Sequence, residues 1–125
     1  MTILEIADVL DAEVLFEGDA ATDQIGRVVA SDLMSDVLLV DDDDMLFLTS
    51  LASDQVLRTA QIVGAVGVIV VNGKLLPASM LKVAQDLGIT LVSSGNSKYE
   101  VCIEVYKALE TCQSSKILKC ERSKV

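Results

Sequence analysis

The sequence predicts a single three-layer α/β domain, in which a mostly parallel sheet lies between two layers of helices. From residue 45 onward, strand and helix patterns alternate three times, which indicates parallel strands joined by right-handed crossovers. The run at 66–71, VGVIVV, is apolar throughout, as expected of a strand covered on both faces. A length of 125 residues, 51% of them hydrophobic, is enough to form one core.

The first part of the chain is predicted to add a helix, two strands and a helical turn. Thr2 and Glu5 form a capping box for the opening helix. The apolar stripe of this helix is Ile3, Ile6, Ala7 and Leu10. Short strands are predicted at 13–16 and 25–30, and the segment 31–40 is predicted to be a loop with a helical turn.

The second part repeats a strand–helix pattern. A strand at 45–49 precedes a helix that Ser53 caps, and the strand at 66–71 follows. The stripe of that helix is Val56, Ala60 and Val63, with Leu57 beside it. Pro77 is predicted at the first position of the next helix, and Gly88 is predicted to end it.

The last predicted helix has two apolar faces. It follows a strand at 89–92 and opens with a second capping box, Ser97 with Glu100. One face consists of Val101 and Val105, and the other is the stripe Tyr99, Cys102, Ile103, Tyr106 and Leu109. A single-sided surface helix needs only one such face. We expect one face either to pack on another subunit or to thicken the local core, and the sequence leaves both open.

Charge is distributed unevenly along the chain. Residues 1–54 contain 14 acids and one base, net −13, whereas residues 55–125 contain 5 acids and 9 bases, net +4. The acidic half repels phosphate backbones, and four aromatic residues without tryptophan offer few stacking surfaces, so nucleic-acid binding is disfavoured. The domain is predicted to occupy residues 1–112, followed by a polar, mostly basic and loosely ordered tail at 113–125.

The residue types argue against most familiar enzymes. Without histidine, the chain lacks the commonest general base near neutral pH and every Ser-His or Cys-His arrangement. Three cysteines without C-x-x-C spacing disfavour a zinc site or a disulfide framework, and no nucleotide fingerprint is present. The N-terminus has no basic region of a secretory signal, and the longest apolar run, 62–71, is half the ~20 residues of a membrane helix. We expect a cytoplasmic protein with no catalytic activity, no cofactor and no membrane association.

Polar loops follow the three predicted parallel strands, at the edge where such sheets bind ligands. They offer hydroxyls, a lysine and helix N-termini, which suit a phosphate or a carboxylate. The candidate ligand-binding residues are Thr49, Ser50, Ser53, Asn72, Gly73, Lys74, Ser93, Ser94, Gly95, Asn96 and Ser97. The same residue types serve as caps and turns in such loops, so a purely structural role stays open.

Four consecutive aspartates, Asp41 to Asp44, come directly before the strand at 45–49. A magnesium site or a phospho-acceptor would need acids at the other end of the sheet, and no acid follows 66–71 or 89–92 within three residues. Neighbouring like charges repel least in a solvated turn. We therefore expect an exposed turn that Asp44 fixes, with no metal bound.

Four segments carry a family resemblance: SDLMSDVL, MLFLTSLASDQVLRTAQIVGAVGVIVVNGK, PASMLKVAQDLGITLVSS and SKYEVCIEVYKAL. Together they resemble the DRTGG domain over about residues 1 to 110. That domain occurs alone or joined to phosphotransacetylase or CBS-containing proteins, and is related to the N-terminal domain of HPr kinase/phosphorylase. The name-giving motif is only partly kept in DQIGR, where Asp23 and Gly26 match while Gln24, Ile25 and Arg27 differ. Asp44 matches an aspartate that the family carries before the next strand.

The resemblance implies a three-layer accessory domain, often dimeric, that is linked to regulation of central metabolism and is not known as a catalyst. The sequence thus predicts a non-enzymatic regulatory or interaction module that acts through a homodimer. The alternative is a sensor that binds a phosphorylated or anionic metabolite or nucleotide at the C-terminal ends of the parallel strands.

Overall fold

A computed structural model describes residues 1–39 and 44–120, and for 112–120 it describes the backbone alone. The helices in these residues are α1 (Ile3–Val9), α2 (Met34–Val37), α3 (Asp54–Val63), α4 (Ala78–Leu87) and α5 (Lys98–Cys120). The strands are β1 (Glu13–Phe16), β2 (Arg27–Ala30), β3 (Met45–Thr49), β4 (Gly67–Val70) and β5 (Thr90–Ser93).

The five strands form one sheet in the order β1-β5-β4-β3-β2. All neighbours from β2 to β5 are parallel, and only β1 pairs antiparallel, along β5. A β-bulge between Val14 and Phe16 interrupts the β1 register. The predicted mostly parallel α/β sheet is confirmed.

Two apolar clusters lie on opposite faces of the sheet. Helices α2, α3 and α4 contribute to one cluster, and α1 and α5 contribute to the other. Side chains of β3 alternate between them: Met45 and Phe47 join the first, Leu46 and Leu48 the second, and all are fully buried. The three-layer arrangement is therefore confirmed.

The predicted helix boundaries rest on local hydrogen bonds. The capping box of α1 is formed, with Thr2 Oγ1 accepting from the Glu5 amide at 3.3 Å. Ser53 caps α3 by accepting from the Gln55 amide. Gly64 and Gly88 end α3 and α4 in the left-handed conformation, with φ of 71° and 69°, where a side chain would be strained.

Several predicted boundaries were wrong by one or two residues; β4, for example, spans Gly67–Val70 instead of 66–71. Pro77 is the N-cap of α4 and not its first residue, because its ψ of 147° is extended. Strand β2 begins at Arg27, since the Ile25 and Gly26 amides instead donate to Met1 and Asp44 carbonyls. Strand β5 begins at Thr90, one residue after the predicted start at 89.

Helix α5 buries its smaller apolar face. Val101 and Val105 are 0% and 1% exposed and join the cluster with α1, which thickens the local core. Tyr99 and Tyr106 lie outward, 76% and 68% exposed. The helix runs on to Cys120, past the predicted start of the tail, and the division into 1–112 and 113–125 stays a prediction.

Asp44 occupies the turn before β3, as predicted. It is exposed, has a φ of 58°, and its carbonyl accepts from the Gly26 amide at 2.8 Å. It lies at the N-terminal end of β3, opposite the edge where the parallel strands end. The predictions for Asp41 to Asp43 fall outside the described residues.

Candidate functional site

The carboxylate of Asp32 accepts hydrogen bonds at the edge where the parallel strands end. Asp32 Oδ1 accepts from Thr49 Oγ1 and from the Ser50 amide, both at 2.8 Å. Asp32 Oδ2 accepts from Ser50 Oγ at 2.6 Å. Lys98 Nζ lies 3.3 Å from Oδ1. One carboxylate thereby joins the end of β2, the end of β3 and the start of α5.

These contacts set the charge state of Asp32. Partial burial acts to raise its pKa, but the hydrogen bonds from Ser50, Thr49 and Lys98 outweigh that effect and hold the pKa well below its usual range. The carboxylate is therefore ionised at neutral pH. Such a group is a poor general base, because proton transfer is most efficient when the pKa lies near the working pH.

Hydrogen bonds of Ser31 and Leu33, on either side of Asp32, hold Asp32 next to the end of β3. The Ser31 amide donates to the Leu48 carbonyl at 3.0 Å, which extends the parallel ladder by one residue. Ser31 Oγ then accepts from the Leu33 amide at 3.1 Å, a local turn typical of serine. Asp32 is held between these two bonds and its side chain meets Thr49 and Ser50.

Asn72 fixes the position of Lys98. Its backbone has a φ of 67°, and its amide donates to the Asn96 carbonyl at 2.7 Å. Its side-chain Oδ1 accepts from the Lys98 amide at 3.1 Å. The Gly73 amide donates to the Ser94 carbonyl at 3.0 Å. The loop after β4 thus holds the first turn of α5, from which Lys98 reaches Asp32.

Several predicted site residues are engaged in local structure. Ser94 is buried, and its Oγ accepts from the Asn96 amide at 3.2 Å. Ser97 forms the predicted capping box, with Oγ accepting from the Glu100 amide at 3.2 Å. Ser53 caps α3. Of the predicted set, the structure brings only Thr49 and Ser50 to Asp32.

Lys74 and Ser93 lie on a different groove, of about 250 Å³. Its walls are mostly apolar and come from β1 and from the start of α4: Glu13, Leu15, Leu75, Leu76, Pro77, Ala78 and Leu81. Gly95 is exposed, with open space where a side chain would be. Whether the eleven predicted residues bind a ligand together stays a prediction.

Sequence reasoning missed both ends of the ion pair, Asp32 and Lys98. Asp32 follows the predicted strand at 25–30 by two residues, so treating that strand as a fourth parallel strand would have placed it at the ligand-binding edge. Lys98 directly follows the capping residue Ser97, and position alone gives no signal that it reaches across the edge.

A second groove lies between the end of α1 and the start of α5. Its volume is about 300 Å³, and we call it the acidic groove: Val9, Leu10, Asn96, Glu100, Ile103 and Glu104. Ile103 is half-buried and lies on the same side of α5 as the exposed Tyr99 and Tyr106; we call these three residues the tyrosine face. The groove and the face are thus continuous.

Glu110 lies one turn beyond Tyr106 on the same helix. A hydrogen bond to Glu110, together with its negative charge, raises the pKa of Tyr106. The hydroxyl is therefore a neutral donor at the surface.

Neither a metal centre nor a membrane span is evident in the part of the chain that the structure describes. No three acidic or cysteine side chains there are grouped to hold a metal ion. None of the helices described is both long and apolar enough to cross a bilayer.

The fold resembles one solved regulatory structure. It matches the CBS and DRTGG domains of the regulatory region of Clostridium perfringens pyrophosphatase, complexed with the activator diadenosine tetraphosphate, with a TM-score of 0.69 and 14% identity. The match covers 83% of this chain and 45% of that one, so the chain spans less than half of its neighbour. No protein-family model and no curated protein matches the chain. The likeness shows an α/β fold and supports the predicted DRTGG-like one.

Proposed function

We propose that this chain is a non-enzymatic regulatory module of the DRTGG type that acts as a homodimer through the tyrosine face. The observation that carries the proposal is the exposure of Tyr99 and Tyr106, 76% and 68%, on either side of Ile103. Tyrosine is enriched at protein interfaces because it offers a large apolar body with a polar tip. Their spacing of seven residues puts both rings on one side of α5.

Two further observations support a regulatory role. The solved structure that the fold resembles belongs to the regulatory region of an enzyme. The most connected polar group at the sheet edge, Asp32, is held ionised by its donors and is unsuited to proton transfer. Both favour an interaction module over a catalyst.

Light scattering at micromolar concentration tests the dimer. We expect a mass near twice the 13.3 kDa of the chain, and a monomeric mass for the double variant Tyr99→Ser/Tyr106→Ser, which should keep a cooperative unfolding transition. The matched control is Ile62→Ser/Leu75→Ser, which alters two side chains that are 72% and 96% exposed elsewhere. A monomeric wild type, or an equal loss of mass in the control, contradicts the proposal.

A second candidate function is the sensing of an anionic small molecule at Asp32. In its favour, Thr49, Ser50 and Lys98 already surround a carboxylate, and a phosphate or carboxylate of a ligand has the chemistry to replace it. The solved regulatory region that this fold resembles is in complex with an activator, diadenosine tetraphosphate. On this hypothesis Asp32 acts as an internal substitute for the ligand.

Thermal-shift measurements with inorganic phosphate, ATP and diadenosine tetraphosphate test this candidate. A ligand at 100 times its dissociation constant stabilises the fold by about 2.7 kcal/mol. Binding should strengthen in Asp32→Asn, which removes the competing charge, and disappear in Lys98→Gln. The absence of a shift in both the wild type and Asp32→Asn rules the candidate out.

A further inference from the structure

Asp32 and helix α2 belong to the same short segment between β2 and β3. Only Leu33 separates Asp32 from Met34, the first residue of α2. The helix is a single turn of four residues, and its N-cap, Leu33, has no side-chain group that could cap it by a hydrogen bond. One turn of helix is unstable by itself, because it fixes several residues for few hydrogen bonds. Helix α2 therefore depends on its contacts with the rest of the domain.

Two kinds of contact hold α2 in place. Met34 and Val37 are 7% and 0% exposed and pack in the apolar cluster with α3. Directly before the helix, the Asp32 carboxylate accepts hydrogen bonds from Thr49 and Ser50 and meets the start of α5. Apolar contact is non-directional, whereas hydrogen bonds depend on distance and angle. The hydrogen bonds of Asp32 therefore fix where the start of α2 lies on the sheet edge.

An anion bound as in the second candidate function needs the donors that Asp32 uses. Each hydroxyl has one proton to donate, so Thr49 and Ser50 cannot donate to Asp32 and to a ligand at the same time. An anion at this place therefore displaces the Asp32 side chain. We infer that anion binding frees the start of α2 and loosens residues 33–39; the inference rests on the second candidate function.

Loosening of this segment changes an apolar part of the surface. Leu33, Leu38 and Leu39 are 57%, 47% and 81% exposed while Asp32 holds its donors. When α2 loosens, the buried side chains Met34 and Val37 become accessible in the same segment. Larger exposed apolar patches are typical of protein–protein contact sites. The segment thereby converts binding of an anion at the sheet edge into a change of surface that a protein partner can detect.

Amide hydrogen exchange of α2 tests the inference. The reporting amides donate to carbonyls within residues 33–36 and are those of Val37, Leu38 and Leu39. Asp32→Asn should speed their exchange at least about threefold, because local opening becomes more frequent. Ser50→Ala should have the same effect from outside the segment, since it removes the donor that lies 2.6 Å from Asp32 Oδ2.

Two controls separate this effect from a general loss of charge or stability. Asp86→Asn removes an exposed carboxylate on α4. Gly67→Ala disturbs the packing of Ile3 in the cluster with α1 and α5, on the other face of the sheet. Neither should speed the α2 amides more than the other amides of the domain. Equal exchange of the α2 amides in Asp32→Asn, Ser50→Ala and the two controls overturns the inference and leaves anion sensing untouched.

Inorganic phosphate, ATP and diadenosine tetraphosphate provide the second arm, each at a concentration that shifts the unfolding temperature. Such an anion should speed exchange of the α2 amides in the wild type but not further in Asp32→Asn, where the carboxylate is already absent. Binding that leaves these amides protected in the wild type, or binding only to Asp32→Asn, overturns the inference alone. No thermal shift in either protein with any of the three overturns the second candidate function, and the inference with it.

Discussion

Lys98 Nζ lies 3.3 Å from Asp32 Oδ1, and this ion pair joins the first turn of α5 to the segment between β2 and α2. The two residues are far apart in the sequence. They meet because Asp32 follows the end of β2 and Lys98 begins α5, and both of these points lie at the same edge of the sheet. Ser50 and Thr49 share the same carboxylate, so the pair is the centre of a four-donor cluster.

Replacing the carboxylate should destabilise the fold. Asp32→Asn removes the charge that Lys98 and Ser50 contact, and we expect a loss of about 1 kcal/mol in the free energy of unfolding. Charge-assisted hydrogen bonds contribute about 1.5–3 kcal/mol, and the partial exposure of both side chains reduces this. Urea unfolding measures it, with the exposed Asp36→Asn on α2 as the control. Equal effects of the two substitutions would show that the cluster does not stabilise the fold.

The stabilisation that Asp32 provides should decrease as the pH falls. Its folded pKa is depressed, so its contribution is fully present above the unfolded carboxyl pKa of about 4 and is lost as the pH falls through the folded value. The stability difference between wild type and Asp32→Asn should therefore narrow from pH 7 to pH 3. Urea titrations at both pH values measure it, and a gap that stays constant or widens contradicts the assignment.

Replacing Asn72 by alanine should destabilise the fold more than replacing it by glycine. Asn72→Ala loses the acceptor for the Lys98 amide and strains a φ of 67°, so we expect about 2 kcal/mol of destabilisation. Asn72→Gly loses only the acceptor and should destabilise by about 1 kcal/mol. Thermal unfolding of the two variants compares them. A glycine variant no more stable than the alanine variant would show that backbone strain plays no part.

Gly67 is a position where α1 packs closely on the sheet. A Cβ there would overlap Ile3 Cδ1 and lie 3.1 Å from Thr90 Cβ. We expect Gly67→Ala to destabilise by about 1–3 kcal/mol through overpacking. Adding Ile3→Val removes the overlapping methyl, so the double variant should lose less than the sum of the two single ones. Strict additivity in chemical denaturation contradicts the contact; Gly95→Ala, with open space around it, is the neutral control.

Much of the fold follows from sequence patterns because they repeat over many residues. The all-apolar run of β4 predicted a strand covered on both faces, and the structure has it fully buried at the centre of the sheet. The capping boxes before α1 and α5 set both helix starts. Boundaries shifted where one backbone bond decided the outcome, as at Gly26.

The site was less predictable because it depends on contacts between distant residues. Thr49 and Ser50 were identified, since they follow a recognisable strand. Asp32 was not, because β2 is a short edge strand whose parallel pairing is a tertiary property. On α5, the sequence left open which apolar face is buried, and the structure buries Val101 and Val105.

A dilution series followed by backbone amide NMR tests whether two copies meet through the tyrosine face. We predict that the amide signals of Tyr99, Ile103 and Tyr106 shift with protein concentration while those of Ile62 and Leu75 do not. Spectra that are independent of concentration for a protein of monomeric mass, or shifts confined to the surroundings of Leu75, would contradict a dimer through the tyrosine face.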